Sequence, residues 1–147
     1  MPLIWPEKKE RMTTTIPLTL HLLVLISLYE LTAGIAGLTG RIDWQAMTDE
    51  FMRSPSLSFV TGFVVFALGG VMIMNHHHWT DPLAIIVSAV GWIALVEGIL
   101  MMLAAKPLLI FFRPLIASQK AVSLFAAAFG IVLIALGLSG HASPTAL

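Results

Sequence analysis

Three consecutive histidines, a tryptophan and an aspartate stand between two apolar runs in the stretch MNHHHWTDP, Met74 to Pro82. Neutral imidazole and carboxylate are ligands for ions such as zinc, copper and iron. In an extended turn alternate side chains share a face, so His76 and His78 could converge on one ion while His77 points away. A third ligand would come from His21, His141, Asp81 or a neighbouring subunit. The spacing matches no particular metal signature, and the plainer use of these imidazoles is as amphipathic groups solvated among lipid headgroups. A divalent metal is therefore the one cofactor the loop allows, and none is required. Haem fits less well, because it wants an axial ligand inside the protein and only His21 offers one.

Glu30 and Glu97 are the second set of candidates. Each lies inside a long apolar run at a similar depth, and an intramembrane carboxylate is costly enough to mark a functional site. If both faced the interior they could share a proton and couple it, or a cation, to transport, with Tyr29 and Trp92 close in sequence. The alternative is a protonated carboxyl hydrogen-bonded to a neighbouring helix or to a partner protein. An enzyme is not expected, because the sequence contains no nucleophile elbow, P-loop, His-Glu-x-x-His or dinucleotide fingerprint. It also has no cysteine, which excludes disulfides, thiol nucleophiles and thiolate metal sites.

The elements that carry these residues are membrane spans. Of 147 residues, 58% are hydrophobic and 11% charged, too apolar for an ordinary soluble surface. Ile16 to Leu38, Leu57 to Met74, Leu83 to Ala105 and Ala121 to Ser139 are each long enough to cross a bilayer. An all-α, four-span protein forming a single membrane domain follows, with both termini on one side and every histidine on that same side. The first run follows Lys8, Lys9 and Arg11 like a signal peptide, but it is too long and lacks a small-x-small cleavage site, so it is read as retained. Asp81-Pro82 makes a good helix start, which turns the His loop into a short hairpin.

Between spans one and two, Trp44, Met47 and Phe51 recur at helical spacing opposite Asp43, Asp49, Glu50 and Arg53, as in a helix lying in the headgroup plane. Lys106 to Lys120 is a second interfacial candidate, broken near Pro114. Trp5, Trp44 and Trp79 fit interfacial anchors. Arg41, Arg53, Lys106, Arg113 and Lys120 occupy the loops after spans one and three, which by the positive-inside rule places those loops in the cytoplasm and the termini and His loop outside. Acidic and basic residues balance at eight each, and no long basic run recruits nucleic acid.

The chain also reads as two same-orientation, two-helix repeats, about 16–75 and 83–141. LTAGIAGL (Leu31 to Leu38) matches LVEGILMM (Leu95 to Met102), and GFVVFALGG (Gly62 to Gly70) matches GIVLIALGL (Gly130 to Leu138). Ser27/Gly34, Gly62/Gly69, Gly91/Gly98 and Gly130/Gly137 are each seven residues apart, so each pair lies on one helix face. Small residues on one face are the usual packing seam between helices in lipid. Within this frame Glu30 precedes Gly34 by a turn whereas Glu97 adjoins Gly98, so the carboxylates are not equivalent.

Asn75, His76 to His78 and Trp79, followed by Gly91-Trp92 and Glu97-Gly98, resemble a family of small uncharacterised bacterial inner-membrane proteins. That family has four helices, an HN-x-W-like loop and GW-x4-KG in its third span. Glu97 stands where the family's basic residue would be, and the histidine order differs. The resemblance covers spans two and three and implies architecture and a bacterial inner membrane, without an activity. The expectation is a non-enzymatic accessory or assembly subunit packing against itself or a larger membrane complex. The alternatives are a proton- or cation-coupled transporter using Glu30 and Glu97, and a metal-binding protein using the His loop.

Overall fold

The computed structural model describes residues 15–76, 79 and 82–138. Among the described residues five helices follow one another: α1 (Thr15–Leu38), α2 (Trp44–Arg53), α3 (Pro55–Asn75), α4 (Pro82–Phe112) and α5 (Gln119–Leu138). Four of them, all but α2, are long and apolar enough to cross a membrane, which is the architecture of a multi-pass membrane protein.

Local sequence sets the boundaries. The Asp43 carboxylate caps α2, accepting from the backbone N–H groups of Gln45 at 2.9 Å and Ala46 at 3.0 Å. Ser54 ends α2 by donating its backbone N–H to Glu50, and starts α3 by accepting from Leu57 N–H at 3.3 Å. Pro55 follows at the first turn of α3, where its missing N–H costs nothing. Asp43→Ala should cost about 1 kcal/mol of local stability. Its expected signature is faster amide hydrogen exchange at Gln45 and Ala46 with the four spans unchanged.

The helix carrying the third span continues beyond its expected end at Ala105. Ala104 leaves helical geometry (φ −148°, ψ 47°) and helix resumes through Phe112. Pro107 accounts for the break, since its ring crowds the carbonyl four residues earlier and it donates no hydrogen bond. The Leu108 to Phe112 segment thus extends a bent helix, and the turn follows at residues 113–116.

The spans associate as two pairs, α1 with α5 and α3 with α4. Each pair closes on backbone. A Cβ at Gly34 would strike the Ala127 amide nitrogen and come within 2.7 Å of the Ser123 carbonyl oxygen, and one at Gly98 would meet the Phe66 amide nitrogen and, at 2.6 Å, the Gly62 carbonyl. From the opposite sides, a Cβ at Gly130 would come within 2.6 Å of Leu31 N and 2.8 Å of Ser27 O, and one at Gly69 within 2.5 Å of Leu95 N and 2.8 Å of Gly91 O. Gly62 packs on the Gly98 carbonyl, Gly91 on Met72, and Gly137 on Val24. Glycine removes the side chain that would hold the helix axes apart, so backbones approach and dispersion contacts accumulate along the seam.

The pairs meet through α1 and α4, where Leu23, Leu83, Val87 and Leu133 form the buried core with Met72 and Phe129 against it. At the other end α2 braces α3 and α4. Gln119 at the start of α5 fixes the turn between α1 and α2, its amide donating to Gly37 O (3.1 Å) and Ile42 O (2.6 Å) while its oxygen accepts from Trp44 N–H (3.0 Å). The Trp44 indole donates to the Ser123 hydroxyl at 3.0 Å. Trp44, expected only as a surface anchor, is therefore also a tertiary contact. The Asp49–Arg113 ion pair (3.4 Å) joins α2 to the turn after α4, but its exposure keeps its contribution below about 1 kcal/mol.

Candidate functional site: a buried histidine and an outward carboxylate

The His loop supplies one residue to the interior. His76 caps the C-terminus of α3, donating its backbone N–H to Met72 O, and its ring turns inward to only 2% exposure. Nε2 lies 2.7 Å from the Thr19 hydroxyl on α1, and Nδ1 lies 3.1 Å from the Ser88 hydroxyl on α4. Thr19 and Ser88 are themselves buried, at 4% and 3% exposure. A neutral imidazole offers one donor and one acceptor, and a hydroxyl can serve as either, so both ring nitrogens are satisfied for either tautomer. One ring thereby ties three helices from both pairs together, beside the apolar core.

This placement bears on the metal reading. A metal bound at His76 would have to displace one of its two hydroxyl partners. His21 is exposed on α1, while His78, Asp81 and His141 lie outside the described residues, as do His77 and Trp5. Among the described residues no three histidine, aspartate or glutamate side chains converge in a metal-holding group. The Thr19–His76–Ser88 arrangement is buried and holds both ring nitrogens on hydroxyls, so it reads as structural rather than as a nucleophile with its base.

The carboxylates are placed differently from one another. Glu30 is half-buried on α1 and Glu97 is exposed on α4, and among the described residues neither has a hydrogen-bond or ion-pair partner. Glu97 borders an open groove of about 520 Å³ lined by Trp92, Ile93, Val96, Leu100, Leu108 and Phe112. The bend at Ala104 makes this groove possible, because it lets Leu108 and Phe112 turn back toward the outer face of α4. Trp92 and Phe112 add aromatic faces to a wall whose single charged group is Glu97.

Thr19, Ser88 and Gln119 were not singled out by sequence, although each makes a long-range hydrogen bond. Their only signal is a polar side chain within or beside an apolar run, which many packed helices share. Trp79 is exposed, consistent in position with a surface residue after the third helix. No family model, curated protein or solved structure matches the chain, so the likeness to the bacterial inner-membrane family rests on the loop and GW-x4-(K/E)G residues alone.

Proposed function

We propose that this chain is a non-enzymatic four-span subunit of the bacterial inner membrane. It packs against another membrane protein, or a second copy, through the outer face of α4. The observation that carries this reading is Glu97: a carboxyl group without a partner among the described residues, beside an open apolar groove on one of the spans. A charged or polar group facing hydrocarbon costs several kcal/mol, whereas a partner helix can cover it and supply a hydrogen bond. The glycines leave little room for a competing interface, since their seams are filled by helices of the same chain.

The proposed architecture is a two-fold repeat about the membrane normal. Three correspondences support it: Gly34 and Gly98 sit against backbone in the same way, the chain leaves helix at both Gly40 and Ala104, and the two pairs, α1 with α5 and α4 with α3, exchange under the repeat. The contacts favour matching Gly130 with Gly69 and Ser123 with Gly62, one heptad from the register the sequence match suggests. In this proposal α2 and the segment after Ala104 lie at the same interface, with the loops after spans one and three in the cytoplasm.

Glu97→Leu separates docking from folding. It should weaken association by about threefold to thirtyfold, the range of one interhelical polar contact, while leaving the isolated protein in detergent as stable as before. Native gel electrophoresis of solubilised membranes, paired with thermal unfolding of the purified chain, reads both. Undiminished association would sink the proposal.

A second reading starts from Glu30 and Glu97 both standing in spans without a partner among the described residues. In that reading the chain is a small proton- or cation-coupled transporter using Glu30 and Glu97. Liposomes that move no protons or cations, with wild type and Glu97→Gln indistinguishable, would count against it.

A further inference from the structure

A second hollow, of about 290 Å³, lies away from the Glu97 groove, where the end of α2, the start of α3 and the bend of α4 meet. Its walls are apolar, built from Phe51, Met52, Pro55, Met101, Met102 and Leu103, and its single charged lining residue is Lys106. Ser58, the other polar side chain there, is already committed, donating to Phe51 O at 2.8 Å. Among the described residues Lys106 has no carboxylate partner, while Asp49, the one acidic residue in an ion pair, is held by Arg113.

We propose that this hollow binds one anionic phospholipid, with the phosphate on Lys106 and the upper part of an acyl chain against Phe51, Met52, Met101 and Met102. The combination of an apolar cleft and one unpaired cation at its edge matches an amphiphile with a negative head, and basic pockets between membrane helices recognise lipid headgroups in this way. Position agrees with chemistry. The hollow lies beside amphipathic α2, whose apolar face suits the boundary between headgroups and hydrocarbon, and Lys106 can extend its aliphatic stem along the wall to keep its ammonium at that boundary.

Comparison of the two halves argues that the space is more than a packing gap. The corner by Gly37 is sealed within the chain, since the Trp44 indole and the Ser123 hydroxyl fill the space beside that glycine and Gln119 ties the turn. In the repeat proposed above, Met101 takes the place of Gly37, Ala104 that of Gly40, Leu108 that of Trp44 and Ser58 that of Gln119. Leu108 lines the Glu97 groove instead of filling this corner, so what the chain seals in one half it leaves open in the other.

The test is a titration of the full chain in nonionic detergent with phosphatidylglycerol and, separately, phosphatidylcholine, read by native mass spectrometry. Phosphatidylglycerol should bind about fivefold more tightly at one site, the contribution expected of one lysine near a headgroup. Lys106→Gln should abolish that preference, and Lys120→Gln, on a lysine outside the hollow, should retain it. Three results would overturn the proposal: equal binding of the two lipids, loss of the preference in Lys120→Gln to the same extent, or full competition by inorganic phosphate, which would mean that the apolar walls contribute nothing. The outcome is independent of Glu97, so it leaves the docking proposal standing or falling by its own experiment.

Discussion

Gly69→Leu is expected to separate α3 from α4, whereas Gly70→Ala, one residue on, is expected to be tolerated. At Gly69 even a Cβ would lie 2.5 to 2.9 Å from the Leu95 nitrogen, the Leu95 Cα and the Gly91 carbonyl oxygen, all backbone atoms that cannot rotate aside. The helices would have to move apart, and the close approach along Gly62, Gly69, Gly91 and Gly98 would be lost with them. Overpacking of this kind costs about 3 kcal/mol or more when backbone must shift. At Gly70 the nearest atom is a Leu95 methyl at 3.8 Å, an ordinary contact, and alanine is the better helix former. Gly70→Ala should therefore lie between neutral and about 1 kcal/mol more stable. Thermal unfolding in a mild detergent, followed by circular dichroism, compares the two. Similar behaviour of both variants would contradict the seam.

His76→Ala is expected to be nearly as damaging, for a different reason. It removes the buried hydrogen bonds to Thr19 and Ser88, each worth about 1 kcal/mol, and leaves a cavity where α1, α3 and α4 meet. The total should be about 2 to 4 kcal/mol. Because Thr19 and Ser88 act through the same ring, Thr19→Val and Ser88→Ala should each lose part of this in the wild-type background and much less in the His76→Ala background. The pattern distinguishes the latch from a loop histidine solvated among headgroups, for which all three substitutions would be small and additive. It also separates the latch from the glycine seams, since His76 joins one helix pair to the other whereas Gly69 holds a single pair together.

The spans were legible in the sequence because each is a long apolar run bounded by charge, proline or turn residues, whereas Asp43, expected only on the polar face of the interfacial helix, proves to be its cap. The end of the third span was not, because LLIFF keeps the apolar signal going past the bend that Pro107 imposes at Ala104. Heptad-spaced glycines reveal which face of a helix packs but not which helix it packs on. The pairing of α1 with α5 and of α3 with α4 came only with the structure. The histidine run pointed toward a metal ion shared with His21, His141, Asp81 or a neighbouring subunit. The partners that hold His76 are hydroxyls on α1 and α4, far away in the chain and indistinguishable there from other small polar residues in apolar helices. Glu97 was visible as a costly residue, but depth along a helix does not say whether a side chain faces its own bundle or a neighbour.

The absence of cysteine from the sequence makes site-specific labelling simple, but the most direct test of docking uses a photo-reactive phenylalanine analogue. Placed at Ile93, which is 64% exposed beside the Glu97 groove, and separately at Val60, which is 59% exposed on α3, it is illuminated in native membranes. The proposal predicts one adduct of discrete mass from position 93, weakened by Glu97→Leu, and only diffuse lipid labelling from position 60. Lipid labelling alone at both positions, or an adduct at 93 indifferent to Glu97, would contradict it.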